Sequence, residues 1–188
     1  QEADFSSLEL IAYGASPIPL DLLRDSLATF KCGFMQLYGL TETTGAVTAL
    51  HPEDHDPNGT PRMRSCGRPL SSAEIRVVDP EGNELPPGQV GEIIVRSPQV
   101  MKGYWNLPDA TAQAIRDGWF YTGDAGYFDE DGYLYIHDRV KDMIVSGGEN
   151  VYPAEVESVL FGHPAVADVA VIGVPDDRWG EAVKAIVV

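Results

Sequence analysis

Three short groups of residues carry side chains that suit a phosphate-bearing ligand. The first runs from Tyr38 to Glu42 and places an aromatic ring, a glycine, a hydroxyl and a carboxylate after an apolar run. The second is Tyr121-Thr122-Gly123-Asp124, and the third is the charged run 138–142, followed by a glycine pair at 147–148. A ring can stack on a base, carboxylate oxygens can hold a hard cation or accept from sugar hydroxyls, and a guanidinium can bind phosphate oxygens. Together the groups indicate a nucleotide site beside a moving joint.

Each group also has a plainer interpretation. Taken singly, residues 38–42 form a polar loop at a strand end, and Asp124 and Arg139 form a solvated ion pair on a β-surface. Lys141 is then a surface lysine in a charged linker. Only the ordered combination favours a ligand site.

The combination resembles the adenylate-forming superfamily, which contains acyl-CoA synthetases, luciferases and the adenylation domains of peptide synthetases. The family pattern is met by Tyr121-Thr122-Gly123-Asp124, then by Asp138-Arg139-Val140-Lys141-Asp142, and then by Gly147-Gly148-Glu149-Asn150. One departure is that Tyr121 directly precedes Thr122, where many members insert a basic residue. The resemblance covers essentially the whole chain.

The resemblance implies a role for each motif residue. The loop Gly14-Ala15-Ser16 would lie against adenine, Tyr38 would stack on it beside Gly39, and Thr41 would approach the α-phosphate. Glu42 would bind Mg²⁺, and Thr41, Glu42 and the hinge residue Lys141 are the expected catalytic group. The remaining expected binding residues are Asp124, Ile136 and Arg139 for ATP or AMP, and Gly147 and Gly148 for the coenzyme A tunnel.

Composition limits the partners. The 188 residues carry 13 Lys plus Arg against 29 Asp plus Glu, so the formal net charge of -16 argues against nucleic-acid binding. Cys32 and Cys66 form no metal or disulfide pattern, which favours a reducing cytoplasm. No run approaches the roughly 20 apolar residues of a membrane span. Peripheral membrane contact remains open for the parent protein.

Periodicity and turn residues predict a mixture of α/β and α+β structure. Strands are predicted at 8–13, 34–38, 73–78, 90–96, 119–127, 133–137 and 143–145, with buried strands at 167–174 and 182–188. A helix opening at Ser16 and Pro17 or Pro19 presents Leu20, Leu23, Leu27 and Phe30 on one face. Pro108 and Asp109 start a second helix that Gly118 ends. Pro153 starts a third, with Val156, Val159 and Leu160 on one face and Gly162 at its end.

Residues 51–65 have no periodicity and are predicted to form a loop. His51 and His55 lie four apart there among acids, but no helical pattern supports a metal pair. Antiparallel strands from about 62 to 137 indicate a small β-barrel or sheet subdomain. Residues 129–132 are predicted to reverse the chain tightly at an Asp-Gly pair.

By resemblance, residues 1–138 are the C-terminal part of the large AMP-binding domain, 139–142 the hinge and 143–188 the first part of a small, truncated α+β domain. The expected function is that of an ATP-dependent acyl-CoA synthetase that uses ATP, Mg²⁺ and coenzyme A on a fatty acid. The alternatives are an aryl-CoA ligase, a peptide-synthetase adenylation domain, or a non-catalytic nucleotide-binding or interaction domain.

Gln1 is not an initiator methionine, and residues 182–188 form an apolar run that stops without a turn. The chain is therefore interpreted as a piece of a longer protein. By resemblance to the family, it lacks the upstream phosphate loop and the downstream catalytic lysine. On its own it is expected to be inactive and to self-associate through apolar strand edges.

Overall fold

The structure is a computed structural model that describes residues 3–16 and 18–188. Within those ranges the strands form three sheets, of four, five and four strands. This arrangement confirms the mixed α/β and α+β class that the sequence predicts. No helix in the described residues is long and apolar enough to cross a membrane.

The first sheet contains the βα unit predicted at the start of the chain. Strands β1 (Leu10–Gly14) and β2 (Gly33–Leu40) are parallel and are connected by α1 (Leu20–Phe30). Helix α1 packs Leu23 against Phe34 and Met63. Its first turn follows Pro19, whose φ of -58° already suits a helix. The alternative start at Pro17 lies outside the described residues.

Two further strands complete this sheet, β3 (Gly45–Leu50) and β4 (Arg68–Pro69), both antiparallel to their neighbours. Between them the predicted loop contains two short 3₁₀ helices, Pro52–Asp54 and Pro61–Arg64. Both ring nitrogens of His55 have partners there, the Tyr13 hydroxyl at 2.9 Å and the His51 carbonyl oxygen at 2.8 Å. His55 therefore ties the loop to β1.

The second sheet is antiparallel and confirms the sheet form of the subdomain predicted for 62–137. Its strand order is β5-β6-β8-β7, and β9 pairs with the second half of β8. The five strands are β5 (Glu74–Val78), β6 (Gly91–Arg96), β7 (Ile115–Arg116), β8 (Trp119–Phe128) and β9 (Leu134–Arg139).

The helix in this region, α2 (Pro108–Ala114), is shorter than predicted. Residues Ile115 and Arg116 pair with Phe120 and Trp119 instead of extending the helix to Gly118. The expected end was wrong because the edge of β8 offers these two residues backbone partners, which local helical preference does not take into account.

The largest buried cluster lies between the first two sheets. Backbone bonds link them as well, from Cys66 N to Leu134 O at 2.8 Å and from Leu134 N to Gly67 O at 2.9 Å. Burial raises the pKa of the Cys66 thiol to about 12, so this cysteine stays protonated. The shared core is formed by Val47, Cys66, Ile75, Val77, Ile93, Val95 and Leu134. Tyr38 of β2 and Phe128 of β8 pack against this core, which therefore holds the two strands relative to each other.

The third sheet follows a 3₁₀ helix, Val140–Asp142. Its order is β11-β10-β13-β12, and the helix α3 (Pro153–Phe161) packs against β12. The strands are β10 (Ile144–Ser146), β11 (Glu149–Val151), β12 (Val169–Asp176) and β13 (Gly180–Val187). The chain order is thus ββαββ. The expected βαββ order omitted β11, because three residues bounded by polar groups give no periodic signal.

The prediction that the last two strands are buried was wrong. Val171 is 5% exposed, whereas Ile172 is 43% and Ile186 48% exposed. Successive side chains of a strand alternate between the two faces, and α3 packs on this sheet from the Val171 side. Val159 of α3 is also exposed, at 78%, so the apolar face predicted for that helix does not bury all its members.

Candidate active site

A distortion of β8 positions Asp124. Ile94 pairs with Tyr121 and Glu92 pairs with Ala125, so residues 122–124 lie opposite the single residue Ile93. The Thr122 hydroxyl stabilises this bulge by donating to the Ile93 carbonyl at 2.7 Å and accepting from Asp124 N at 3.0 Å. Bulges redirect side chains. Here the bulge directs the Asp124 carboxylate toward the end of β2.

Asp124 joins two other residues that the sequence predicts for the site. The Tyr38 hydroxyl donates to Asp124 Oδ2 at 2.7 Å, and Arg139 Nη1 lies 3.0 Å from Asp124 Oδ1. Arg139 also donates to the Thr122 carbonyl at 3.1 Å. Asp124 and Arg139 are direct cross-strand partners in the β8–β9 ladder. Three residues far apart in sequence therefore form one hydrogen-bonded cluster.

The charges in this cluster oppose one another. Burial raises the pKa of Asp124 above its usual value, while the hydrogen bond from Tyr38 and the positive charge of Arg139 act to lower it. Burial and the neighbouring Asp124 charge raise the pKa of Tyr38, so its hydroxyl stays protonated and continues to donate. Asp124 is 7% exposed, whereas the Arg139 side chain is 48% exposed and accessible to a ligand.

The loop predicted to contact adenine begins beside Tyr38. Gly14 pairs with Leu37 at the end of β1, and the exposed residues Ala15 and Ser16 follow it. Ala15 has a φ of 67°, an uncommon left-handed conformation for a residue with a side chain.

Gly39 directly follows Tyr38 in β2. A Cβ there would lie 2.0 Å from the Gly45 carbonyl oxygen, so only glycine allows β2 and β3 to meet this closely.

Thr41 and Glu42 lie in a 3₁₀ helix, Thr41–Thr43, directly after β2. Thr41 is exposed, and the Glu42 side chain accepts a hydrogen bond from the Tyr104 hydroxyl at 2.9 Å. Thr44 ends the helix in the left-handed region with a φ of 54°, a strained conformation for a β-branched residue. The Thr44 N–H donates to the Thr41 carbonyl at 3.0 Å, and this hydrogen bond closes the turn.

The remaining predicted residues extend from β9 into the third sheet. Ile136 is exposed on β9, opposite Gly126, and Lys141 is exposed in the 3₁₀ helix. The Asp138 carboxylate accepts from Ala154 N at 2.9 Å and so connects the end of β9 to the start of α3. His137 also faces α3, with Nδ1 2.9 Å from Glu155 Oε1, although the two atoms do not form a hydrogen bond.

Gly147 and Gly148 form a two-residue hairpin turn between β10 and β11, since Ser146 pairs with Glu149. Their φ values of 61° and 88° are the pair that a type I′ turn requires. A Cβ on Gly147 would lie 2.6 Å from the Trp179 ring, whereas one on Gly148 would meet nothing within 4 Å. The described contacts place this pair against Trp179, apart from the Tyr38–Asp124–Arg139 cluster.

Three residues of the site were missed by the sequence analysis. Tyr104 contacts Glu42, Glu92 Oε1 accepts from Gly123 N at 3.1 Å, and buried Thr43 holds the start of the 3₁₀ helix through Leu40 N at 2.9 Å. Tyr104 is 62 residues from Glu42 in sequence, so no local spacing could have indicated the contact. The Thr43 signal was present in the Thr-rich run after Gly39.

The donor chemistry fits a magnesium nucleotide. No group of three His, Cys, Asp or Glu side chains within residues 3–16 and 18–188 could hold a metal ion unaided. Mg²⁺ commonly binds through one or two carboxylates together with substrate phosphates and water, so the Glu42 carboxylate beside an exposed threonine is a suitable partial ligand set.

Comparison with known families shows which class of protein has this fold. The family described as AMP-binding enzyme matches residues 1–105, and the family described as AMP-binding enzyme C-terminal domain matches residues 155–188. The chain belongs to the AMP-binding enzyme family, within the adenylate-forming superfamily.

Its curated relatives include ligases for several acids. The chain is 54% identical over 185 residues to fatty acid–[acyl-carrier-protein] ligase ScoC of Streptomyces coeruleorubidus. The matched region covers 98% of this chain and 36% of ScoC. It is 50% identical over 185 residues to medium/long-chain-fatty-acid–CoA ligase FadD8 of Mycobacterium tuberculosis, with 98% and 32% covered. Feruloyl-CoA synthase of an Amycolatopsis species is 48% identical over 188 residues, with 100% and 37% covered. The chain thus spans about a third of the length of these relatives.

Solved structures match the fold closely. The complex of Bacillus subtilis o-succinylbenzoate CoA synthetase (MenE) with the acyl-adenylate intermediate OSB-AMP has a TM-score of 0.88 and 42% identity, covering 97% of this chain and 36% of that one. Amide bond synthetase McbA of Marinactinospora thermotolerans has a TM-score of 0.87 and 43% identity, covering 98% and 37%.

Proposed function

We propose that this chain is part of an ATP-dependent acid–thiol ligase. The enzyme joins a carboxylate to the α-phosphate of ATP with release of pyrophosphate, and then transfers the acyl group from AMP to the thiol of coenzyme A with release of AMP. The observation that carries the proposal is the buried Asp124 carboxylate, held by Tyr38 and Arg139 at the junction of the first two sheets.

In this proposal the cluster binds the nucleoside. Asp124 accepts hydrogen bonds from the ribose hydroxyls, and Arg139, already beside it, donates to ribose or phosphate oxygens. The Tyr38 ring stacks on adenine, and its hydroxyl bond to Asp124 fixes the orientation of the ring. The Gly14-Ala15-Ser16 loop lies along the base, and Ile136 contacts it from β9.

Both reactants of the first step are anions, so positioning and charge compensation carry most of the catalysis. Glu42 would hold Mg²⁺, which supplies charge compensation at the phosphate oxygens when bound. Thr41, exposed at the start of the same turn, donates to the α-phosphate. Gly147 and Gly148 would border the channel for the pantetheine arm of coenzyme A.

The proposed acid is a fatty acid. ScoC and FadD8 are named for fatty acids, and they are 54% and 50% identical to this chain. An aryl acid is the second candidate, because feruloyl-CoA synthase and a 2-succinylbenzoate–CoA ligase of Geobacillus kaustophilus are 48% and 47% identical. Because ScoC is named for an acyl carrier protein, such a protein is the second candidate, after coenzyme A, for the thiol that accepts the acyl group.

The domain division follows the same proposal. Residues 1–138 belong to the large nucleotide-binding domain, 139–142 form the hinge and 143–188 begin the small domain, which rotates between the two steps. The 3₁₀ helix at Val140–Asp142 is a short, exposed connection that suits a hinge.

Acid-dependent exchange of pyrophosphate into ATP tests the proposal on the full-length protein. In a panel of fatty and aryl acids, the fatty acids should give the fastest exchange. Adding coenzyme A should then release AMP. Replacing coenzyme A with an acyl carrier protein decides the acceptor. Absence of exchange with every carboxylic acid would refute the ligase assignment.

A further inference from the structure

A segment of the chain outside the three groups of motif residues described above holds the turn that carries Glu42. The Thr44 hydroxyl donates to the Gln99 carbonyl at 2.8 Å, and Met101 N donates to the Glu42 carbonyl at 2.7 Å. The Tyr104 hydroxyl donates to Glu42 Oε1 at 2.9 Å. The first two bonds fix the backbone of the turn, and the third fixes its carboxylate.

Tyr104 is itself held in place. Its backbone N–H donates to the Thr111 hydroxyl at 2.9 Å, and that hydroxyl donates to the Leu107 carbonyl at 2.9 Å. Gly103 packs directly on Thr111, where a Cβ would lie 2.7 Å from the threonine methyl group. The Tyr104 ring therefore projects from a braced loop rather than from a free one.

We propose that Tyr104 is a positioning residue for the cation-binding carboxylate. This inference rests on the proposed function, in which Glu42 binds the Mg²⁺ of the ATP complex. The Tyr104 hydroxyl occupies Oε1 of Glu42, so Oε2 remains for the cation. Because Mg²⁺ demands near-ideal octahedral geometry, a carboxylate already fixed by an outer hydrogen bond binds it better than a rotating one.

The chemistry of a phenol suits this position, where the Tyr104 hydroxyl donates to Glu42 Oε1 at 2.9 Å. A protonated phenol can donate to a carboxylate but cannot compete with it for a cation as a phenolate would. Tyr104 thus supports Glu42 without taking its place.

The test measures how far Mg²⁺ strengthens nucleotide binding. Calorimetric titration of α,β-methylene ATP into the full-length protein, with saturating Mg²⁺ and with EDTA, gives the ratio of the two dissociation constants. Tyr104→Phe should lower this magnesium enhancement about tenfold while leaving binding in EDTA unchanged, since outer-shell partners typically contribute tenfold or more to metal affinity. In exchange assays the Mg²⁺ concentration for half-maximal rate should rise, with kcat at saturating Mg²⁺ retained.

Tyr133→Phe is the matched control. Its hydroxyl donates to a different carboxylate, Asp54, at 2.8 Å, so the variant removes an equivalent bond away from Glu42. This variant should keep the full magnesium enhancement. Glu42→Gln should lose it, and Tyr104→Phe added to Glu42→Gln should lower it no further.

The outcomes separate the two proposals. If Glu42→Gln loses the enhancement and Tyr104→Phe retains it, the role of Tyr104 is wrong while the nucleotide site stands. If Glu42→Gln also retains it, or the unmodified protein shows none, Glu42 does not bind the cation and both the proposed cation site and the role of Tyr104 are overturned. A loss of binding in EDTA on Tyr104→Phe would show structural damage and would also refute the positioning role.

Discussion

Among single residues, Asp124 is the group through which we propose that a chain with a net charge of -16 binds the ribose of a nucleotide. Its carboxylate is partly compensated by one guanidinium and one phenol, both within 3.0 Å. The long-range field of the protein repels anions, so affinity must come from such local groups. Each charge-assisted hydrogen bond is worth about 1.5–3 kcal/mol.

We therefore expect Asp124→Ala in the full-length enzyme to lower kcat/KM for ATP at least tenfold. The loss follows because two such bonds to the ribose disappear, and exchange kinetics at varied ATP measure it. Asp131→Ala is the control. Asp131 lies in the exposed turn between β8 and β9 and pairs with Arg62, so this variant also removes a carboxylate from an ion pair but does so away from the cluster. Equal kinetics in the two variants would mean that Asp124 is only a structural carboxylate.

Nucleotide affinity should also depend on pH through Asp124. Only the ionised carboxylate accepts from both ribose hydroxyls, and burial raises its pKa, so affinity should fall as the pH drops through this raised value. Arg139 lowers the pKa, and Arg139→Gln should therefore move the acidic loss of affinity to higher pH. Titration of ATP binding from pH 4 to 8 follows the midpoint. A midpoint that Arg139→Gln leaves unmoved would contradict the electrostatic coupling.

The sequence predicted the residues of this cluster and, as the plainer alternative, the Asp124–Arg139 ion pair, but not the hydrogen bond from Tyr38. Tyr38, Asp124 and Arg139 each belong to a short motif with a recognisable spacing. Their bonds depend on a bulge in β8, which arises from pairing with β6 and leaves no periodic trace. Tyr104 was missed for a related reason, because its contact with Glu42 exists only after β6 has placed the following loop beside β2.

At the scale of elements, the hairpin of β10 and β11 depends on its two glycines for different reasons. Alanine at either position would adopt a left-handed backbone at a cost of about 1–2 kcal/mol. Only Gly147 also contacts the Trp179 ring. We expect Gly147→Ala to lower the free energy of unfolding more than Gly148→Ala does.

Urea unfolding of the 188-residue chain measures both variants. Adding Trp179→Ala should bring the cost of Gly147→Ala down to that of Gly148→Ala, since the double variant removes the clash. A larger cost for Gly148→Ala would mean that the turn, and not Trp179, decides which glycine is needed.

The 3₁₀ helix at Val140–Asp142 carries the predicted hinge. Proline at Lys141 would fix φ near roughly -65° and remove the N–H, whereas alanine removes only the charge. Lys141→Pro should slow the thiol step by about a hundredfold, on the order of the ~3 kcal/mol of a disfavoured backbone state, and retain most adenylation. Lys141→Ala should preserve both steps. Acyl adenylate supplied with coenzyme A measures the thiol step, and ATP supplied with acid measures adenylation. Equal slowing of both steps by Lys141→Pro would refute the hinge.

Element existence was predicted better than element ends. The helices at Leu20–Phe30 and Pro153–Phe161 were anticipated from proline starts and apolar spacing. The end of α2 and the strand β11 were not, because pairing with a neighbouring strand decided both. The burial of β12 and β13 was also misjudged, since an apolar strand indicates a covered face without identifying what covers it.

At the scale of the whole molecule, the third sheet displays apolar side chains to solvent. Ile172 and Ile186 lie on one face of it, diagonal to each other across the β12–β13 ladder. The 188-residue chain on its own should therefore associate at micromolar concentrations. Added salt should strengthen association, because it screens the repulsion between chains of charge -16.

Sedimentation velocity across a concentration series measures this association. Ile172→Lys with Ile186→Lys should shift the chain toward monomer. Trp105→Lys is the control, since Trp105 is 88% exposed on the loop before α2, outside the third sheet. A monomer at all salt concentrations in the unmodified chain would contradict the prediction.

The bond between Asp138 and Ala154 spans the proposed hinge. The Ala154 N–H donates to the Asp138 carboxylate at 2.9 Å, and Lys141 lies between these two residues in the chain. A rotation about Lys141 must therefore break this hydrogen bond. The amide of Ala154 would then exchange its hydrogen with solvent at a rate set by how often the joint opens. The rate of deuterium uptake at this one amide would therefore report how often the rotation occurs, and it can be measured in the resting protein without substrate or turnover.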